Sequence, residues 1–327
     1  MKKAPKLSLL APSFNHQNYV KYFLDSVLNQ TCEDFELIIV DDCSSDSNIQ
    51  IIESYKDKRI KLIKHKHNLG MNAALNSAFE KSTGEYLMFC ASDDILAPNA
   101  IETMINAHNN SKAVTIYTKL IPIDINNNVV HSHMNGYLNM QKRSTEEFLR
   151  HTFLVSNLFV SPGMCVKREY FERIYPLPLS LCNYQDYKMH IDLLKFGEID
   201  VLEERVVYYR LPSAVSGASA PSAKTGMREY LETHYFLDSY IAYDDLELLS
   251  RTFANEIEFT GIKPFKDTLE FFWGCMALCS PHDIRKTWGY HKIMNFYNTK
   301  EGATLLYKRY KFTFAHLLNL VNFFIKQ

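Results

Sequence analysis

Tryptophan and glycine are scarce in this 327-residue chain, at 2 and 11 residues. So little glycine excludes collagen-like repeats and long flexible Gly-rich linkers. An excess of one charge is also missing: 36 Lys+Arg face 37 Asp+Glu, a formal net charge of -1. Without a basic excess there is no electrostatic footprint for nucleic acid, and no nucleic-acid partner is expected. No apolar run reaches the ~18 residues of a membrane-spanning helix. Met1-Lys2-Lys3 resembles the start of a secretory leader, but the apolar run Leu7-Ser8-Leu9-Leu10-Ala11 stops at Pro12, too short for a leader's core. A CxxC pair is absent too. The seven cysteines (Cys32, Cys43, Cys90, Cys165, Cys182, Cys275 and Cys279) are odd in number and scattered. That argues against a disulfide framework or a zinc site and favours a reducing cytoplasm. Cys275 and Cys279 lie one helical turn apart, as two thiols on one buried helix face would. Asn29-Gln30-Thr31 and Asn109-Asn110-Ser111 fit the glycosylation acceptor pattern, which carries no meaning in a cytoplasmic chain.

What the chain does have is bulk and aromatic rings. Its length suggests one large or two smaller domains, and a chain of this size buries about three-quarters of its unfolded surface without staples. Hydrophobic residues at 46% and charged residues at 22% are ordinary for a globular protein and exclude a largely disordered one. Tyrosine and phenylalanine, 20 and 21 residues, form the surplus.

The first ~110 residues alternate short apolar runs with helical patterns. Strands are expected at Leu7 to Ala11, Phe35 to Val40, Ile60 to Ile63 and Glu85 to Cys90. Helices are expected at Tyr19 to Gln30, with Tyr22, Phe23, Val27 and Leu28 near one face, and at Met71 to Lys81. A further helix runs through Ile49, Ile52 and Tyr55, capped by Asp46. This alternation implies βαβ units and a parallel sheet flanked by helices. Beyond it, Val114 to Ile121 and Val129 to His133 read as a strand pair, with strands at Met164 to Val166 and Val206 to Tyr209 and a helix at Tyr187 to Phe196. From Pro221 onward the pattern is helical and aromatic, which sets a division into 1–220 and 221–327.

Two strands end in carboxylate pairs, Asp41-Asp42 and Asp93-Asp94. Open α/β sheets bind ligands beyond the carboxyl ends of their strands. Grouped carboxylates there suit Mg²⁺ or Mn²⁺, which take one or two carboxylates plus substrate phosphates. The plainer alternative is that acids simply populate turns and helix starts.

The blocks Pro12-Ser13-Phe14-Asn15, Ser26 to Thr31 and Phe35 to Asp46 (FELIIVDDCSSD) resemble the amino-terminal part of family 2 glycosyltransferases of the GT-A fold. Asn68-Leu69-Gly70 with Ala73, Asn76 and Ala78, then Thr83-Gly84-Glu85-Tyr86 and Ser92-Asp93-Asp94-Ile95-Leu96, continue the resemblance in order. It implies an α/β GT-A domain carrying a nucleotide-sugar site. Pro12 and Phe14 would line the base pocket, and Asp42 would accept from a uracil N–H, which suggests a UDP-sugar. Asp93 would bind the ribose, Asp94 would ligate Mn²⁺ or Mg²⁺, and Asn68 and Gly70 would shape the loop beside the donor. Many members read Asp-x-Asp-Asp here; this chain reads Ala91-Ser92-Asp93-Asp94, so the first carboxylate is lost.

Transfer to a hydroxyl also needs a general base. The family places it in a Glu-Asp pair at a helix start, and this chain has Tyr184-Gln185-Asp186-Tyr187. The resemblance implies Asp186 as the base, with Gln185 in place of the usual Glu and Tyr187 beside it. The alternative for Asp186 is an acid stabilising the helix dipole. Ser161-Pro162-Gly163-Met164 resembles the small-residue turn that admits the acceptor, or is a plain loop. Tyr208-Tyr209-Arg210 resembles the strand end whose Arg would stabilise the leaving diphosphate. The His that often follows two residues later is Pro212 here, and Ala214-Val215-Ser216-Gly217 follows. His65 and His67 read as loop histidines. The resemblance further implies a single inverting displacement, with surface-glycan synthesis as the setting and a glycan or lipid-linked hydroxyl as acceptor.

The C-terminal ~100 residues lie outside the resemblance. From Tyr307 to Gln327 there are four Lys/Arg, no acid, and the apolar residues Phe312, Phe314, Leu317, Leu318, Leu320, Val321, Phe323 and Phe324. Two readings stand: an interfacial helix on the inner face of an anionic membrane, near a lipid-linked acceptor, or a packing or homodimer helix. Two other functions compete with the enzyme. A non-catalytic sugar-nucleotide or membrane-binding module is opposed by the retained Asp42, Asp93, Asp94 and Asp186. A nucleotidyltransferase would need a Gly-rich phosphate loop, which is absent.

Overall fold

The structure is a computed structural model that describes residues 4–131, 135–211 and 222–324. The chain divides into two compact units, Met1–Lys142 with Phe159–Thr225, and Arg143–Leu158 with Gly226–Gln327. The segment Arg143–Leu158, which sequence reading leaves in the first domain, groups with the second unit. The 220/221 boundary, Pro212, Ala214 to Gly217, His133, Met1 to Lys3 and the end of the chain from Ile325 lie outside the described residues.

An eight-stranded sheet forms the first unit: β1 (Leu7–Ser13), β2 (Phe35–Asp41), β3 (Ile60–Lys64), β4 (Tyr86–Phe89), β5 (Ile95–Leu96), β6 (Thr115–Ile123), β7 (Cys165–Lys167) and β8 (Ile199–Arg210). Their spatial order is β3-β2-β1-β4-β7-β6-β8-β5. The pairs from β3 to β4 are parallel, as is β6 with β8; β7 is antiparallel to both its neighbours, and β5 is antiparallel to β8. The helices before the excursion into the other unit are α1 (Val20–Leu28), α2 (Asn48–Ser54), α3 (Met71–Lys81), α4 (Ala100–Asn110) and α5 (Asn135–Leu138). After α6 (Thr145–Leu154), which belongs to the second unit, come α7 (Arg168–Phe171) and α8 (Gln185–Leu194).

β1 and β2 are buried at every position. A sheet covered on both faces needs apolar runs rather than alternation, which is why these strands were readable as runs. α1 buries Val20, Phe23, Leu24 and Val27, an i, i+3, i+4, i+7 stripe. Tyr22 is 48% exposed, so the buried face is rotated from the one expected. Ser47, not Asp46, occupies the α2 N-cap; Asp46 instead accepts from the backbone N–H groups of Asn48 and Gln17, both at 3.0 Å. Of the expected strand pair after Val114, the first strand forms as β6, and the second is reduced, among the described residues, to one antiparallel bridge from Ile123 to Val129.

The strand order reverses between β1 and β4, so the ligand-binding switch point lies at their carboxyl ends. Three loops meet there. Ser13 is in register with Asp41, the Asp42 N–H donates to the Ser13 carbonyl at 2.9 Å, and the Ser92 N–H donates to the Pro12 carbonyl at 3.1 Å.

The second unit contains α6, most of α9 (Ala223–Leu237), α10 (Leu246–Thr252), α11 (Ala254–Thr260), α12 (Leu269–Leu278), α13 (Asp283–Tyr297), α14 (Lys300–Tyr310) and α15 (Phe314–Asn319). Rings form its core: Trp273 lies 4.6 Å from Phe153, 5.3 Å from Phe253 and 5.6 Å from Tyr240. Buried Arg285 donates to the carbonyls of Thr152 and Phe153, at the end of α6 where the helix leaves oxygens unpaired. The C-terminal run is two segments rather than one helix. Lys311 (φ 55) ends α14, while Leu306, Phe312 and Leu320 are buried. Among the described residues, no helix is long and apolar enough to cross a membrane.

Candidate active site

Asp42 sits directly after β2 and is buried. Its Oδ2 accepts from the Gly70 N–H at 2.7 Å, and its Oδ1 from the Leu69 N–H at 2.9 Å. The Asn68–Gly70 loop is therefore clasped onto the carboxylate, joining two motifs that are separate in sequence. His65 completes the clasp: Nδ1 lies 2.7 Å from Asp42 Oδ1 and Nε2 lies 2.9 Å from Ser77 Oγ. Its side chain is only 8% exposed, so it is not the loose loop histidine expected. Its place one residue past β3, beside the end of β2, was the available signal. Pro12 is buried in β1, and Phe14 stands 42% exposed just beyond it. Asn68 is exposed.

The Asp93-Asp94 turn is anchored from two sides. Asp94 is buried, and its Oδ1 accepts from the Arg210 backbone N–H at 2.8 Å. The Arg210 guanidinium donates to the carbonyls of Asp93 (2.7 Å) and Asp124 (2.6 Å) and to Asn127 Oδ1 (2.6 Å). It also lies over the Tyr19 ring, 4.3 Å from the centroid. In this conformation Arg210 braces the acidic turn, so most of its reach is spent on protein oxygens. On the other side His16 Nδ1 lies 2.8 Å from Ser92 Oγ, which donates to Ser13 Oγ at 2.6 Å. Asn48 Nδ2 reaches both Ser13 Oγ and Asp41 Oδ1 at 2.7 Å. Neither His16 nor Asn48 stood out as a site residue in the sequence, because their bonds to Ser92 and Ser13 span 76 and 35 residues and leave no local pattern.

Burial and the neighbouring Asp93 charge push the Asp94 carboxyl well above its ordinary range. Among the described residues, no three His, Cys, Asp or Glu side chains converge as a metal cage. Two adjacent carboxylates, one buried and facing a single backbone donor, nevertheless form a hard-oxygen set that fits Mg²⁺ or Mn²⁺ completed by phosphates.

Asp186 lies in the first turn of α8. Its Oδ1 accepts from the Tyr187 N–H at 2.7 Å and its Oδ2 from the Ser161 hydroxyl at 3.1 Å. Burial raises its carboxyl above the usual value. Tyr187 is buried, and the Gln185 side-chain oxygen is buried with no hydrogen-bond partner among the described residues. Ser161 is placed by Gly163, whose φ of 79 and whose 2.7 Å gap from an added Cβ to Val207 both require glycine. The Gly163 N–H donates to the Phe89 carbonyl at 2.7 Å, at the end of the strand that leads into Asp93. The phenol of Tyr209, on β8 one residue before Arg210, is pushed up by burial and then by the charges of Asp94, Asp93 and Asp186.

Solved structures share this architecture. TarS from S. aureus, residues 1–349 in complex with UDP-GlcNAc, aligns over 98% of this chain and 91% of its own at TM-score 0.60 and 18% identity. The mannosyltransferase PcManGT from Pyrobaculum calidifontis, in complex with GDP-Man and Mn²⁺, aligns over 98% and 87% at TM-score 0.50 and 16% identity. The fold is thus the GT-A type of α/β glycosyltransferases, with a C-terminal helical region. Residues 8–175, just over half the chain, match Glycosyl transferase family 2, and the chain belongs to that family. An uncharacterized glycosyltransferase of Nostoc sp. is 25% identical over 311 residues, 92% of each chain. Chondroitin synthase of Escherichia coli is 27% identical over 200 residues, 60% of this chain and 28% of its own. The protein is a glycosyltransferase.

Proposed function

We propose that this glycosyltransferase moves a sugar from a UDP-sugar to a hydroxyl of a glycan or lipid-linked acceptor, with inversion and with a divalent cation, in the synthesis of a surface polysaccharide or oligosaccharide. The observation that carries the reading is the meeting of three motifs at the carboxyl ends of the sheet: Asp42 clasped beyond β2, the Asp93-Asp94 turn beyond β4, and the Gly163 turn, bonded to the end of β4, whose Ser161 holds Asp186. Asp42 and Phe14 would hold the base, and Asp93 the ribose. Asp93 and Asp94 would hold Mn²⁺ or Mg²⁺, which when bound supplies charge stabilisation for the departing diphosphate. Arg210 would keep that turn in place and direct its remaining N–H donors to the leaving group.

Asp186 would take the proton from the acceptor hydroxyl as its oxygen bonds to the anomeric carbon and the bond to phosphate breaks on the opposite face. The orphaned Gln185 oxygen would accept from a second acceptor hydroxyl, and Gly163 and Tyr187 would border that sugar. UDP-GlcNAc bound to TarS supports the donor, and the polysaccharide named in chondroitin synthase supports the setting. The second unit would contact the acceptor, the inner membrane surface or a second copy, from the cytoplasmic side.

The test is thermal stabilisation and slow hydrolysis with UDP-, GDP-, dTDP- and CMP-sugars, with and without Mn²⁺. Asp186→Asn is expected to keep donor binding and lose about 10³-fold or more in transfer. Asp94→Ala is expected to remove the metal dependence. Because burial raises the Asp186 carboxyl, the acid limb of kcat should lie above the ordinary carboxylate range. Absence of any nucleotide response with metal present overturns the proposal.

A further inference from the structure

The mechanism above leaves one buried polar assembly unused. His190 lies four residues after Asp186 on α8, one turn along the same face, and is 1% exposed. Its Nε2 is 3.0 Å from Ser161 Oγ, and its Nδ1 is 2.7 Å from the Tyr117 hydroxyl. Tyr117 is equally buried, on β6. Phe159 packs on both rings, with centroids 5.0 Å from His190 and 5.4 Å from Tyr117. Ser161 passes the contact on to Asp186 Oδ2.

We propose that Tyr117, His190 and Ser161 are positioning residues forming a one-directional chain of hydrogen bonds that ends on the Asp186 carboxylate, a role that rests on Asp186 being the base. The direction follows from the closed end. Among the described residues the Tyr117 hydroxyl meets no acceptor besides His190 Nδ1, so its proton points there. A neutral imidazole accepting at Nδ1 must carry its proton on Nε2, which therefore donates to Ser161 Oγ. The Ser161 hydroxyl, having accepted, is left to donate to Asp186. Reversing the chain would deprive the carboxylate of its donor and leave a buried phenol proton unpaired, a costly arrangement.

Burial pushes His190 down to about 3, so it stays neutral wherever the enzyme folds and works. Among the described residues, the phenols of Tyr117, Tyr137 and Tyr209 feel the Asp186 charge, and burial pushes all three up, so they are uncharged. The chain thus holds Asp186 Oδ2 while the Tyr187 N–H holds Oδ1, fixing the plane of the carboxylate and leaving its remaining lone pairs for the acceptor. An apolar side chain at 190 would fill the same space without doing so.

The first measurement needs no substrate. In the full-length protein labelled with ¹⁵N-histidine and ¹³C-aspartate, with signals assigned through His190→Gln and Asp186→Asn, His190 should remain a neutral Nε2–H tautomer from about pH 5 to 8. Asp186 should titrate higher in Ser161→Ala than in wild type, because a donor to the charged form is gone, and Ser161→Thr should restore the wild-type midpoint. In donor turnover, Ser161→Ala should lower kcat about tenfold with donor KM unchanged, move the acid limb upward, and be rescued by Ser161→Thr. An Nδ1–H tautomer in wild type, or an Asp186 midpoint indifferent to Ser161, overturns the chain. A wild type that turns over no nucleotide-sugar overturns the function above instead, and the tautomer and midpoint still decide the chain.

Discussion

The two compact units both bury apolar cores, but their most ordered features differ. In the first, side-chain hydrogen bonds thread between strand ends: Asp42 to the Leu69–Gly70 backbone, Ser13 to Ser92 and Asn48, Ser161 to Asp186. In the second, the centre is a stack of rings around Trp273, and its buried indole N–H has no partner among the described residues. Hydrogen bonds fix direction as well as distance, which is what orienting a reacting group requires. Ring packing is tight but tolerant of small reorientation, and it supplies mass and stability. Chemistry belongs with the first kind of order, and the second kind suits a scaffold that presents a surface.

Trp273→Ala is the largest blow that comparison allows. Removing a fully buried Trp should cost about 3–5 kcal/mol of stability, read as an early transition in urea, while nucleotide binding by the folded fraction stays at wild-type strength. Trp273→Phe should lose far less, because it also removes the unpaired N–H. Equal loss of donor affinity and stability in Trp273→Ala would break the division of labour.

Legibility in the sequence follows the same line. β1, β2 and β4 and the carboxylates at their ends were readable because a sheet covered on both faces writes short unbroken apolar runs, and a turn at a strand end writes Asp-Asp. Asp186 was readable as an acid at a helix start. What stayed hidden needed partners distant in the chain. His16, Ser13 and Asn48 act through bonds spanning 35 to 79 residues, and α6 joins the helical unit through Arg285, more than 130 residues away. His190 was not singled out either, although its i+4 spacing from Asp186 puts both on one helical face. The break at Lys311 was hidden for another reason: a left-handed residue in a run of good helix formers leaves no mark in composition.

Asp42→Asn probes the first unit at middle scale. The amide is nearly isosteric but turns one oxygen into a donor facing the Gly70 or Leu69 N–H. Losing charge-assisted bonds of this kind should weaken nucleotide binding by about 1–3 kcal/mol, roughly 5- to 150-fold, with kcat at saturating donor falling much less. If stability drops while affinity holds, the clasp is purely architectural and the contrast between the units narrows.

The smallest effect concerns the second unit's surface. Phe314, Leu318 and Val321 repeat at i, i+4, i+7 and are 59%, 59% and 47% exposed, whereas Leu306, Phe312 and Leu320 are buried. Among the described residues nearby, Arg309 is spent on Asp267 at 2.7 Å, while Lys308, and Lys311 over the Tyr307 ring, supply the remaining positive charge. At about 1 kcal/mol per basic residue near an anionic surface, such a patch gives weak, salt-sensitive adsorption rather than an anchor. Phe314→Ser with Leu318→Ser should therefore reduce sedimentation with phosphatidylserine-containing vesicles only several-fold, without moving the urea midpoint, because neither side chain supports the ring core. A lowered midpoint would assign these residues to packing, and an unchanged vesicle affinity alongside a loss of dimer in ultracentrifugation would assign the stripe to a second copy of the chain.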